Sequence, residues 1–340
     1  MRFLIFVACF ISLSNVSAFA QWHDWKSKHY RDHPLVGAIY SPSENQNFES
    51  TEVAQLLLRQ LLVKKITETN FVLLGENHDN PDHHILQAWM IEEIASSGRK
   101  PDVVFEMIPR RLAHEANSYD LQKDPQLEDF AKRLEWEKRG WYSWEIYKPV
   151  GLVAAQHGLR MLAGNISRKK VLGLYRNKTA LSTDEQNRFA IDQPFSHAHQ
   201  SSLNEELIAS HCGMIGKKAL PAMTRIQRAK DGSMADALLN ARSQDGAILI
   251  AGNGHVRKDR GVPLVLRKSS QTNTARIKEI VSIGLIEVRE NIIDPKQYEL
   301  QNPEGEILYD IVIFTPKADI TDHCVAMRKQ FKSKKKTNNG

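Results

Sequence analysis

Residues 70–107 read as strand, turn, helix, strand, and that order restricts the architecture more than any other feature of the chain. Residues 70–74 form a short apolar run that ends at Gly75, which predicts a buried strand. Asn80 is a strong helix-capping residue, Pro81 suits the first helical position, and Asp82 suits the positive end of a helix. A helix is therefore predicted from there to about residue 97. A second buried strand is predicted over 102–107. Two strands joined through a helix run parallel, so the fold class expected is α/β: a mostly parallel sheet flanked by helices.

The remaining segments extend this pattern. A helix is predicted over 52–67, a helical stretch over 110–139, and a further helix opened by Pro149 and ending near Gly158. Strands are predicted over 160–163 and 247–251, and the β-rich segments 279–288 and 309–314 complete the sheet. Between them, about 166–242 is charged and helical and reads as an inserted helical subdomain.

Residues 1–20 have the layout of a secretory signal peptide: Arg2, an apolar run over 3–13, and Ala18-Phe19-Ala20 before the cut. The run is too short to span a membrane, and Cys9 comes too early for a lipid-bearing cysteine. The expected organisation is a signal peptide (1–20), one α/β domain (21–327) and a basic, solvated tail (328–340). The chain carries a formal charge of +6, of which Arg2 supplies one and the tail six, so 21–327 carry −1. A near-neutral body excludes a nucleic-acid-binding domain. Cys212 and Cys324 remain after cleavage, either as a disulfide or as two separate thiols.

Two Gly-x-x-His turns, Gly75-Glu76-Asn77-His78 and Gly252-Asn253-Gly254-His255, each follow a predicted strand. Ligands of parallel sheets bind beyond the carboxyl ends of the strands, and Glu76, His78, Glu106 and His255 all belong there. Two carboxylates and two imidazoles on one rim suit a divalent metal or acid/base chemistry, and these four are the candidate metal or catalytic set. His83 and His84 lie inside the following helix and read as packing groups or as groups that support the site from behind. Trp136, Trp141, Tyr142, Trp144 and Tyr147 form a dense aromatic segment, either a structural clamp or a flat wall for a planar ligand. Tyr147 precedes Pro149, which assigns it to the rim end of its helix.

Val72-Leu-Leu-Gly-Glu-Asn-His-Asp-Asn-Pro-Asp-His-His-Ile-Leu-Gln87 resembles the opening signature of the ChaN-like haem-binding family. The similarity continues, in order, through Phe105-Glu106-Met107, Trp144 with Tyr147 and Pro149, Gly164-Asn165 and His211-Cys212-Gly213-Met214. It goes on through 227–231 with Met234-Ala235, then 251–255 with Gly261-Val262-Pro263, and 309–316 with Cys324. The resemblance implies an exported haem-binding protein of haem or iron uptake, periplasmic or associated with the outer membrane and its uptake machinery. It further implies haem ligated by tyrosine and held between two subunits of a homodimer. Tyr147 is the first candidate ligand, with Trp144 beside it, and Tyr142, His211 and Met214 are the alternatives. The wider superfamily includes Tiki proteases, TraB-like proteins and erythromycin esterases, which implies a second reading: a metal-dependent hydrolase using the paired turns.

Overall fold

A computed structural model describes residues 24–43, 51–176, 180–270 and 279–322, together with 324, 325, 327 and 328. The signal peptide expected at 1–20 and the basic tail beyond Arg328 lie outside the described residues. Seven strands form one sheet: β1 (Ile39–Tyr40), β2 (Phe71–Leu74), β3 (Asp102–Pro109), β4 (Met161–Asn165), β5 (Ala247–Ile250), β6 (Ile280–Glu287) and β7 (Ile311–Thr315). Their spatial order is β1-β7-β6-β2-β5-β3-β4. The β1–β7 pair is antiparallel, and the other pairings are parallel. This is the α/β architecture that the strand-helix-strand order dictates.

Helices cover both faces: α1 (Glu52–Glu68), α2 (Pro81–Ser96), α3 (Ala113–Ala116), α4 (Glu128–Arg133) and α5 (Trp144–Gln156) before β4. After β4 come α6 (Arg168–Arg176), α7 (Thr183–Arg188), α8 (His197–Ser210) and α9 (Leu220–Leu239), and after β5 come α10 (Asn253–Val256) and α11 (Val262–Ser270). The apolar run of β2 is unbroken because its two faces enter two different cores. Val72 and Leu74 pack with Met90, Ile91 and Ile94 of α2. Phe71 and Leu73 face the opposite layer, with Met234 and Leu238 of α9. Each large side chain buried in this way contributes roughly 1.5–3 kcal/mol.

The start of α2 forms as its sequence dictates: the Asn80 side chain accepts from Asp82 N at 2.9 Å, with Pro81 next. Two expected helices differ. The 110–139 stretch is not one helix but short turns around α3 and α4, with Leu127 and Glu135 in left-handed backbone conformations. The Asp124 carboxylate accepts from Glu128 N and Phe130 N, which fixes a new start there instead of a continuing helix. α5 begins at Trp144 rather than at Pro149, because Ser143 caps it by accepting from Glu145 N. Pro149 sits in the second turn, where its missing N–H forgoes one helical bond.

Among the described residues, 166–242 hold α6–α9 and no strand. The last of these, α9, is the crossover that returns the chain to β5. Its Met234, Ala235 and Leu238 lie in the core against the sheet, so the stretch is not wholly outside the main domain.

Candidate functional site

β2 and β5 are neighbours, with Leu74 opposite Ile250, so the two Gly-x-x-His turns emerge side by side from the sheet. β3 lies on the other side of β5, with Phe105 opposite Ile250, which brings Glu106 to the same rim. Asn253 ties the turns together. Its backbone N donates to Glu76 O at 2.9 Å, and its side-chain amide donates to Leu285 O at 2.7 Å and Asn77 Oδ1 at 3.2 Å. A Cβ on Gly75 would stand 2.2 Å from Asn253 Oδ1, so close packing between the turns is what requires glycine there. Gly75 is absent from the residues with positive φ.

The four candidate rim groups form two carboxylate–imidazole pairs. Glu76 is buried; its Oε1 accepts from His78 Nδ1 at 2.6 Å and from the Tyr147 hydroxyl at 2.7 Å, and its Oε2 accepts from Gln87 Nε2 at 2.8 Å. Burial opposes its ionisation, but His84 and His78 beside it hold the carboxyl well below its ordinary range. Burial likewise opposes charge on His78, and its hydrogen bond to Glu76 and the charge of Glu106 raise it.

In the second pair, His255 Nε2 stands 3.1 Å from Glu106 Oε1, and its Nδ1 stands 2.5 Å from Asp231 Oδ1. Burial disfavours an imidazolium, yet Glu106 and Asp231 push His255 up to about 10. Glu106 is held low in return, against its burial, by the charge of His255. Gly252 N donates to Glu106 Oε2 at 3.0 Å, and Lys230 Nζ stands 3.8 Å from its Oε1. The pairs approach each other where His78 Nε2 lies 3.8 Å from Glu106 Oε2.

At His255 this arrangement holds a proton and fixes the orientation of the ring. An imidazolium donates through both nitrogens and offers no lone pair to a metal or a substrate proton. The candidate metal set Glu76, His78, Glu106 and His255 is assembled on one rim, with His78 Nδ1 and both nitrogens of His255 directed at carboxylates and His78 Nε2 3.8 Å from Glu106 Oε2. Among the described residues, no group of three His, Cys, Asp or Glu side chains is disposed to hold a metal ion.

The aromatic candidates separate. Tyr147 lies at the rim end of its helix as expected, with its hydroxyl 2.7 Å from Glu76 Oε1 and 3.2 Å from His78 Nδ1, but it is 0 % exposed and packs ring to ring with His84 at 3.9 Å. Burial, and then the neighbouring Glu76 charge, push its phenol far above the ordinary range. Its role is to donate to Glu76. Trp144 is also buried, packed on Trp136 and Phe130, which makes it part of the clamp. Tyr142 is 52 % exposed. Trp141 stands edge-on to His78, with centroids 5.0 Å apart, and lines a cavity of about 500 Å³ at the ends of β3 and β4. His211 caps α8, with Nδ1 2.8 Å from Leu207 O, and Met214 follows it; neither lines that cavity. Their segment is held by a disulfide between Cys212 and Cys324, Cα atoms 5.4 Å apart, which decides between the two states of these cysteines.

Gln227, Lys230 and Asp231 of α9 were not singled out from sequence as site residues. Gln227, Asp231 and Met234 share one helical face that turns toward the sheet, and that spacing was the available signal.

A parallel sheet with coupled carboxylate–imidazole pairs and a ligand-sized cavity at its carboxyl rim defines an α/β protein with a rim site. The profile of the haem-binding uptake proteins of the Tiki superfamily, ChaN, matches residues 62–266, and the chain belongs to that family. Its fold is similar to that of ChaN of Campylobacter jejuni, a structure of cofacial heme binding. The two are 21% identical over 81% of this chain and 94% of that one, with a TM-score of 0.58. An erythromycin esterase mutant, EreC in its open conformation, is 11% identical over 84% and 99% of the two chains, with a TM-score of 0.40. No curated protein sequence matches the chain.

Proposed function

We propose that this chain is an exported haem carrier whose ligand lies against Trp141 in the rim cavity. The observation that carries the reading is the cavity itself. Its volume of about 500 Å³ falls in the range of ordinary ligand sites, and it combines apolar wall residues such as Trp141, Ile166 and Val171 with basic side chains. Haem is a flat, mostly apolar disc with two carboxylates, and this lining fits both parts of it. Membership of a haem-binding family supports the same ligand.

Tyr142 is the residue we assign to the iron. A phenolate is a hard oxygen donor suited to ferric iron. Tyr142 is exposed and adjoins Trp141, whereas the Tyr147 hydroxyl is committed to Glu76. A ligand on an exposed side chain suits haem shared between two copies of the chain. Titration of ferric haem into wild type should give a shifted Soret band with charge-transfer features of tyrosinate iron. Those features should disappear in Tyr142→Phe and persist in Tyr147→Phe, and sedimentation of the haem-loaded protein should give twice the monomer mass. A free-haem spectrum with wild type would sink the carrier reading; the opposite behaviour of the two variants would return the ligand to Tyr147.

We further propose a periplasmic location, where delivery to or from outer-membrane uptake machinery would take place. The disulfide supports that location, because such bonds persist in oxidising compartments. Intact mass of the protein from a periplasmic fraction should lack residues 1–20 and be two hydrogens lighter than the reduced chain. Retention of Met1 would overturn the export reading. The alternative hydrolase reading draws less support, since His255 is held as a charged partner of Glu106 and Asp231 rather than as a base.

A further inference from the structure

The basic side chains of the rim cavity are not equivalent to one another. Five cations line it, Arg111, Lys138, Arg139, Arg168 and Lys230, against one carboxylate, Glu135. Glu135 is paired with Arg111. Lys230 leans toward Glu106, whose charge is already shared with His255 and Gly252 N. Among the described residues, Lys138 and Arg168 have no ion pair and are exposed.

Arg139 is the most informative of the five. Its Nε donates to Leu134 O at 2.8 Å and its Nη1 to Met107 O, and its guanidinium lies 5.5 Å from the Trp136 ring. These contacts fix the plane of the fork. The remaining nitrogen, Nη2, is buried and has no hydrogen-bond partner. An unpaired buried donor on a fixed guanidinium is costly, and such groups are satisfied by a partner in nearly all native proteins. A carboxylate is the group that matches that geometry and charge.

We propose that Arg139, with Arg168 and Lys138, forms a carboxylate-binding end of the cavity that receives the propionates of haem, so that haem enters carboxylates first. This rests on the haem reading above. Trp141 then meets the apolar part of the ring. Entry with the apolar edge first would instead press hydrocarbon against these cations and strip their water without offering a partner, which is unfavourable.

The test compares ferric haem with its dimethyl ester, which has the same ring and iron but no carboxylates. Binding is read by quenching of tryptophan fluorescence and by the Soret band. Wild type should bind the free acid at least tenfold more tightly than the ester. Arg139→Gln should weaken the free acid by about tenfold and leave the ester unchanged, with the same Soret position in both proteins. Arg139 also holds two backbone carbonyls, so Lys138→Gln combined with Arg168→Gln, which removes exposed side chains only, provides the second variant and should show the same selectivity. Equal affinity of wild type for acid and ester, or equal weakening of both forms by the variants, overturns the proposal while leaving haem binding in place. Binding of neither form by wild type overturns the haem reading itself.

Discussion

His83 is buried without charge, and its surroundings say why. Its Nδ1 accepts from Asn77 N at 2.7 Å, which leaves the proton on Nε2 to donate to Thr315 Oγ1 at 2.8 Å. The ring thereby links the first Gly-x-x-His turn to the end of β7. Burial, reinforced by His84 and only partly offset by Glu76, holds it down to about 3. An unfolded histidine takes up its proton near 6.5, so between these values the unfolded chain binds more protons than the folded one. The stabilisation is therefore complete above pH 6.5 and is lost progressively as pH falls toward 3. Urea unfolding between pH 7 and pH 4 should show wild type losing up to about 1.4 kcal/mol per pH unit more than His83→Gln. Identical slopes would mean that His83 titrates alike in both states. The histidines at 83 and 84 were legible from sequence as groups that pack or support the rim from behind, and His84 does stand 3.4 Å from Glu76 Oε2. The rim position of Tyr147 was legible too; its complete burial there was not, because the end of a helix can be placed from its proline while what covers its first turn depends on the neighbouring segment.

At the scale of elements, α2 is the best-specified unit and also a junction. Asn80 is 0 % exposed and does more than cap: its Oδ1 also accepts from Ser27 Oγ at 3.1 Å, and its amide donates to Glu287 Oε1 at 2.8 Å and Pro316 O at 3.0 Å. A cap alone is worth about 1 kcal/mol. Asn80→Ala should cost about 3 kcal/mol or more, because the truncation also strands buried partners. A loss near 1 kcal/mol in a denaturant titration would show that only the cap matters. Strands β2, β3 and β5 were readable because a parallel sheet buries both of their faces and leaves a continuous apolar run. The start of α5 was not, since a proline signals the beginning of a helix and is also tolerated within its early turns. Nor was α9 as a site element: 227–231 carried the family resemblance, but nothing local assigned Asp231 and Lys230 to the rim until the crossover brings them to His255 and Glu106.

The whole molecule is a sheet between two cores, and its functional rim draws on both halves of the chain, Glu76 and His78 from the first and His255 from the second. Which strands are adjacent is a long-range property: β5 inserts between β2 and β3 although far from both in sequence. Hydropathy carries no record of that order, so the pairing of the two turns followed from their shared place after strands and not from any local signal. The bond between Cys212 and Cys324 adds a covalent topology to this architecture. It closes a ring of chain that contains α9, β5, β6 and β7, and with them the turn of His255; β2, β3 and the turn of His78 hang outside it on the N-terminal arm. A protease that cuts one exposed loop within the ring opens the circle without releasing a fragment, so a singly nicked molecule keeps both turns on one covalent body until a reductant reaches the sulfurs.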